Sequence, residues 1–289
     1  MQVLFRELTL EDIPSVKDLT KKSWEGEDYI QSAIKSWIER RDCFTYGAFY
    51  KDQLIGLGNI QWMNSQLVWL QGVRVSPHLQ RQGIGTELFN FGCENAVDQG
   101  ARVIQYSTGI RNIASQKIGK KLGFVEKAQM AFLWSSPEDS IINLENTEEI
   151  KQIPLDRVLK VIKKIPNGPK NEICIGWTFV PPELEYLRRG DQQRGEWYKN
   201  KEAILLELSK GIDPEGENPN NEVWLVLYGL ELDSRALLAR LLHLHSQRKE
   251  IHYIGVFCPK KLAPLAQELG FKYWNEEYSA VVLFEKKCS

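Results

Sequence analysis

The sequence predicts an α/β protein of two tandem mixed-sheet domains, the second a degenerate copy of the first. Three observations predict it. Short alternating strands with a tight turn open the chain, a strand–loop–helix–strand–helix–strand run follows them, and landmarks of that run return in the second half. At 289 residues the chain has the length of two ordinary domains.

Val3 to Arg6 alternates as a first strand, and Thr9-Leu10-Glu11-Asp12-Ile13-Pro14 offers a helix start whose apolar spacing continues through Val16 and Leu19. A second helix is expected over Tyr29 to Arg41, with Ile30, Ile34, Trp37 and Ile38 on one face. Phe44 to Tyr50 and Leu54 to Trp62 form a strand pair about the turn Lys51-Asp52-Gln53, and Leu67 to Val75 is a third strand. Helix over Thr86 to Val97, strand over Arg102 to Ser107, helix over Ala114 to Leu122 and strand over Gln129 to Trp134 complete the first half. Periodicity then stops at Ser135-Ser136-Pro137-Glu138-Asp139, and Asn143 to Gln152 is polar enough for a linker or an edge. The division predicted is 1–145 and 146–289.

Trp69-Leu70 has its counterpart in Trp224-Leu225, and Leu122-Gly123-Phe124 in Leu269-Gly270-Phe271. Between these landmarks the first half takes 54 residues and the second 46, a deficit about the size of the Ser76 to Gly83 loop. In the second half, Val223 to Tyr228 runs through Gly229-Leu230-Glu231-Leu232-Asp233 straight into a helix near Ser234. The fold is kept there while the loop is lost.

Hydrophobic residues make up 43% and charged residues 26%, and the longest apolar runs fall short of a bilayer span, which excludes a membrane role. Lys and Arg total 37 against 38 Asp and Glu, so no net field favours nucleic acid. Cys43, Cys93, Cys174, Cys258 and Cys288 are scattered, the pattern of reduced thiols in a cytoplasmic protein. The charged, strand-like first residues lack the character of a secretory signal, and no export is expected. His243, His245 and His252 invite a metal reading, but no compact carboxylate or cysteine set accompanies them and no metal is expected. The chain is read as a monomer or homodimer.

The loop Ser76-Pro77-His78-Leu79-Gln80-Arg81-Gln82-Gly83-Ile84-Gly85-Thr86 joins a strand to a helix, where backbone N–H groups and a helix amino end converge on an anion. Gly83 and Gly85 permit close approach, Arg81 supplies charge, Gln80 donates neutrally, and no acidic residue intervenes. It lacks both the Lys-Ser or Lys-Thr ending of a nucleoside triphosphate loop and the glycine spacing of a dinucleotide site. A pyrophosphate suits it, although an ordinary tight turn would also read this way.

The segment Val75-x-Pro77-x-x-Gln80-x-x-Gly83-x-Gly85 resembles the acetyl-CoA motif of the GCN5-related N-acetyltransferase (GNAT) superfamily. Asn112, Ser115, Leu122, Gly123 and Phe124 resemble the family segment that follows it. The likeness covers about residues 1 to 135, and beyond them only the repeated fold. It implies tandem GNAT-like domains, acetyl-CoA as cosubstrate, and a splayed pair of central strands that admits the pantetheine arm. Val73, Arg74 and Val75 would then give backbone hydrogen bonds. Gln80, Arg81, Gln82, Gly83, Ile84, Gly85 and Thr86 would hold the pyrophosphate, with Asn112 and Ser115 completing the cofactor set.

Acetyl transfer needs a neutral amine and donors aimed at the thioester oxygen, a role for backbone N–H near Val73. An α-amine titrates near 7.7 to 8, so part of it is already neutral, and Glu25, Glu27 or Asp28 would take the proton if these residues are more than a solvated acidic loop. The family often places a Tyr seven residues after the Asn to protonate the departing sulfur; here that residue is Gly119. Tyr106 on the preceding strand is the substitute acid, or a half-buried strand residue, and water can also protonate a thiolate of this acidity.

Ser36-Trp37-Ile38, the Gly56-Leu57 strand and Trp69 to Val75 resemble a two-domain group that includes vertebrate histidine N-acetyltransferase. That likeness implies a small amine as acceptor, a free amino acid, with histidine as the specific version. Trp24, Tyr29, Trp37, Trp62 and Trp69 divide between core and substrate wall. Trp177, Tyr186, Trp197 and Tyr198, beside Arg188-Arg189-Gly190-Asp191, are read as domain packing. Competing functions are peptide or protein amino-terminal acetylation, aminoglycoside acetylation, and an acyl-CoA sensor that has lost turnover.

Overall fold

The structure is a computed structural model that describes residues 2–21, 28–138, 150–166, 168–169, 171–188, 195–208, 221–273 and 279–288. It divides into two compact units. The first holds residues 1–106, 113–127 and 283–289, and the second holds 107–112 and 128–282. The boundary expected near 145 lies outside the described residues.

The first half of the chain runs β1 (Leu4–Glu7), α1 (Ile13–Thr20), α2 (Ile30–Glu39), β2 (Cys43–Tyr50), β3 (Gln53–Trp62), β4 (Leu67–Val75), α3 (Ile84–Asp98), β5 (Val103–Gly109), α4 (Ile113–Lys121) and β6 (Val125–Ser135). Strands β1 to β4 pair antiparallel in sequence order, and β4 then pairs parallel to β5. Lys51 and Asp52 both take positive φ, the two-residue turn whose twist matches a hairpin. Helices α1 and α2 cover one face, burying Val16, Leu19, Ile30, Ile34 and Trp37 against Leu54 and Leu57. Helix α3 covers the other, with Phe91 against Phe44 and Tyr46.

The second half runs β7 (Lys151–Ile153), α5 (Leu155–Ile162), β8 (Ile173–Ile175), β9 (Thr178–Val180), α6 (Leu184–Arg188), β10 (Gly195–Asn200), β11 (Ala203–Leu208), β12 (Glu222–Gly229), α7 (Glu231–Ser246), β13 (Tyr253–Cys258), α8 (Ala263–Glu268), β14 (Lys272–Tyr273) and β15 (Ala280–Lys287). The polar stretch read as a linker thus ends in a strand, β7. In the second unit β7, β10, β11 and β12 pair antiparallel, β12 pairs parallel to β13, and β13 pairs antiparallel to β6. Leu205, Leu225, Leu227, Leu237, Leu241 and Val256 form its core with α7.

Two features of the repeat go beyond residue matching. Each parallel pair is bridged by one helix, α3 in the first unit and α7 in the second. Each following short helix also ends the same way: Gly123 (φ +88°) and Gly270 (φ +94°) are left-handed, and the Phe124 and Phe271 amides reach back to the carbonyls of Gly119 and Ala266 at 2.9 and 3.1 Å. This is a glycine helix cap with its buried aromatic, conserved in geometry across the two copies. The terminal strands, however, do not stay with their own halves. The last residues of β15, from Leu283 on, belong to the first unit beside β5, while β6 from Ala128 on belongs to the second.

Candidate active site

Strands β4 and β5 pair only at Leu67↔Val103, Val68↔Ile104 and Trp69↔Gln105. Beyond Trp69, β4 keeps its β3 ladder alone, which is the splay that the resemblance implies. The β3 ladder itself is bulged: Leu57 pairs with Arg74 and Asn59 with Gln71, so Gly72 and Val73 together oppose Gly58. Gly72 has φ +67°, and the Trp37 ring lies against its Cα, 2.7 Å from where a Cβ would sit. A bulge turns the backbone and re-aims its groups, and this one falls at Val73.

After β4 the chain makes one turn at Pro77–Leu79 and passes through Arg81 (φ +63°) and Gly83 (φ +90°) into α3. Thr86 and Glu87 donate to the Gly83 carbonyl, and the N–H groups of Gly83, Ile84 and Gly85 have no acceptor among the described residues. Residues 80–83 are exposed. Three unpaired donors at the amino end of a 15-residue helix, beside Arg81, fit phosphate oxygens. The two glycines differ in their reasons. Gly83 is required by its left-handed backbone, whereas a Cβ at Gly85 would make only ordinary contact with Ile118 and Val75 at 3.6 Å. Packing within the protein therefore does not require a glycine at position 85.

Glu25 and Glu27, with Trp24, lie outside the described residues. Asp28 is not the solvated loop residue that its sequence suggested. Its side chain is fully buried, Arg74 Nε donates to Oδ2 at 2.8 Å, and Oδ1 accepts the Ile30 amide at 3.2 Å. One carboxylate thus holds the first amide of α2 and ties it to the strand position next to Val73. The Arg74 guanidinium also lies 5.7 Å from the centre of the Tyr29 ring. Of the other aromatics, Trp37 and Trp69 are buried, while Tyr29 is exposed and Trp62 half-buried.

Tyr106 is buried, its hydroxyl donates to the Ser115 carbonyl at 3.2 Å, and burial pushes its phenol well above the usual range. Its ring stacks on Phe284 and meets Phe89 and Phe124 edge-on, with centroids 5.0 to 5.2 Å away. Such pairs each add about 0.5–1.5 kcal/mol beyond burial. This cluster explains Gly119: a Cβ there would overlap the Tyr106 hydroxyl. Tyr106 fills from β5 the volume into which a residue-119 side chain would project. Ser115 and Asn112 are half-buried, Ser115 in the first turn of α4 and Asn112 just before it, its amide donating to the Gly109 carbonyl at 3.0 Å.

The corresponding connection in the second unit has no such loop. Leu230 alone separates β12 from α7, whose first turn carries Glu231 and Asp233. His245 is buried near Glu207, and among the described residues no three His, Cys, Asp or Glu side chains form a metal-ligating group. Trp177 packs against Phe132 and Phe257. No described helix is long and apolar enough to cross a membrane.

Residues 9–124 match the family model described as Acetyltransferase (GNAT) family. Among solved structures, a GCN5-related N-acetyltransferase from Sphaerobacter thermophilus is similar at 12% identity over 99% of this chain and 95% of that one, with a TM-score of 0.68. A tandem GNAT protein from the clavulanic acid biosynthesis pathway is similar at 11% identity over 99% and 98%, with a TM-score of 0.62. The GCN5-related glucosamine N-acetyltransferase region of a fungal multi-domain GH3 β-N-acetylglucosaminidase is similar at 14% identity over 99% of this chain and 38% of that one, TM-score 0.69. A search of the curated proteins finds no match. Residues 9–124 are a GNAT-family acetyltransferase domain, and the described chain has the tandem GNAT fold. The family carries an acyl group from acetyl-CoA to an amine.

Proposed function

We propose that the protein acetylates the α-amine of a small molecule, a free amino acid, with histidine as the specific candidate. The observation that carries this reading is the exposed loop with unpaired Gly83, Ile84 and Gly85 amides at the end of a strand that parts from its neighbour, inside a GNAT domain. The two-domain resemblance supports the choice of acceptor. In this reading residues 1–145 are the catalytic domain and 146–289 a degenerate copy without a cofactor of its own.

Acetyl-CoA supplies the activated acetyl group when bound. Gln80, Arg81, Gln82, Gly83, Ile84, Gly85 and Thr86 bind its pyrophosphate, and Asn112 and Ser115 complete the cofactor set. Val73, Arg74 and Val75 orient the pantetheine arm through their backbone. The amide at the Val73 bulge meets the charge that develops on the thioester oxygen, a role that donors fixed in advance fill without reorganisation. Tyr106 is engaged with Ser115, so the backbone contributes more than any one side-chain acid, and water protonates the departing thiolate. Glu25 and Glu27 are candidate proton acceptors.

Mass spectrometry of reactions containing acetyl-CoA and free amino acids, peptides, polyamines or aminoglycosides tests the assignment. Acetylated free amino acid is expected. Product confined to peptides or aminoglycosides overturns the acceptor class, and saturable acetyl-CoA binding without any product identifies a sensor.

A further inference from the structure

We propose that Glu285, on the last strand of the chain, is the carboxylate that receives the acceptor's amine and takes its proton, with Gln105 as its positioning residue. This rests on the acetyltransferase reading above. Gln105 is the last β5 residue paired to β4, so it marks the vertex at which the two strands part. Its Nε2 donates to Glu285 Oε2 at 2.9 Å, and both residues are buried, at 3% and 8% exposure. The other carboxylate oxygen, Oε1, faces Lys127 Nζ at 3.4 Å, a loose contact to a lysine that is 30% exposed.

The two sides of the sheet differ at this vertex. On the α3 side, Tyr106 and Phe284 stack beside Phe89 and fill the space with rings. Gln105 precedes Tyr106 and Glu285 follows Phe284, so along each strand they face the opposite side, together with Trp69, the register partner of Gln105. An acceptor reaching the vertex therefore meets the polar side.

These two side chains are short of donors among the described residues. Among the described residues Gln105 Oε1 is buried with no hydrogen-bond partner, and Glu285 adds a carboxylate held by one amide and one distant ammonium. A buried acceptor left unpaired costs about 1–3 kcal/mol, and a buried carboxylate costs more unless it is well paired. A primary ammonium, with its three N–H donors, supplies what both groups lack.

Chemistry follows from the same contact. Most aliphatic amine is protonated at neutral pH and cannot attack. One ammonium proton passes to Glu285, and the N–C bond forms as the thioester C–S bond breaks. The second nitrogen proton is lost to water, water protonates the leaving thiolate, and Glu285 returns its proton to solvent.

The test uses the full chain, acetyl-CoA and whichever amine of the panel the wild type acetylates fastest, with kcat and KM measured from pH 6 to 10. Glu285→Gln should bind acetyl-CoA as the wild type does, yet lose about 100-fold in kcat/KM at pH 7. The deficit should shrink as pH rises and solution supplies neutral amine. Gln105→Met should shift the profile the same way by about tenfold. If Glu285→Gln does not fold, Glu285→Asp, which withdraws the charge by one methylene, is read in its place. An active wild type with an unaffected variant overturns this assignment alone, as does a loss that is the same at every pH. A wild type that binds acetyl-CoA but acetylates nothing overturns the activity reading and this assignment with it.

Discussion

The two strand-to-helix connections in this protein solve the same topological problem with different chemistry. In the first unit, residues 76–83 separate β4 from α3, and three amides at the helix start are unpaired. In the second, Leu230 alone joins β12 to α7, and two carboxylates, Glu231 and Asp233, occupy the first helical turn. Carboxylates there complement the helix dipole and repel phosphate. Both connections serve a parallel strand pair bridged by one helix, and both copies finish in the same glycine cap. The long loop is therefore not a requirement of the fold. In the proposed function it is there to hold an anion.

The largest effect is expected from making the first connection like the second. Replacing residues 76–83 with a single leucine should weaken acetyl-CoA binding by at least about 100-fold, roughly 2.7 kcal/mol, on calorimetric titration. Circular dichroism should report the same secondary structure. Loss of the fold along with binding would mean that the loop is structural and that the comparison fails.

The loop and the helices were legible in the sequence because their signals are local: glycines at Gly83 and Gly85, a 3.6-residue apolar period, a Leu-Gly-Phe ending. The exchange of terminal strands was not. Val125–Ser135 and Ala280–Lys287 both read as ordinary strands, and nothing within a strand states which edge it joins. Gly119 was legible only as a missing tyrosine. Its cause is a fit between residues 13 apart on different elements, a size relation that no motif carries. Asp28 read as one of a run of loop acids, and only the register that brings Arg74 beside it reveals the buried ion pair. Glu285 carried no signal beyond being a charge after five consecutive apolar residues, Ala280 to Phe284.

A smaller effect sharpens the contrast inside the first unit. Gly119→Ala places a methyl group on the Tyr106 hydroxyl and should cost about 1–3 kcal/mol in denaturant unfolding. Tyr106→Phe, which removes that oxygen, should recover part of the loss when the two are combined, so the pair should depart from additivity. Tyr106→Phe alone should hold kcat/KM within about tenfold. A loss beyond about 1000-fold would make Tyr106 the dominant acid and displace the backbone from that role.

The smallest effect tests what the two copies share. Gly123→Ala and Gly270→Ala each force a Cβ into a left-handed position and should each destabilise by about 1 kcal/mol, with acetyl-CoA affinity unchanged in Gly270→Ala. A large difference between the two unfolding penalties would indicate that the caps are equivalent in geometry only.

The central claim, one retained anion site and one copy without it, is tested most directly by the stoichiometry of acetyl-CoA binding to the intact chain. Calorimetry should give one molecule per chain, and none after residues 76–83 are shortened. Two molecules per chain, or one that survives the shortened loop, would contradict it.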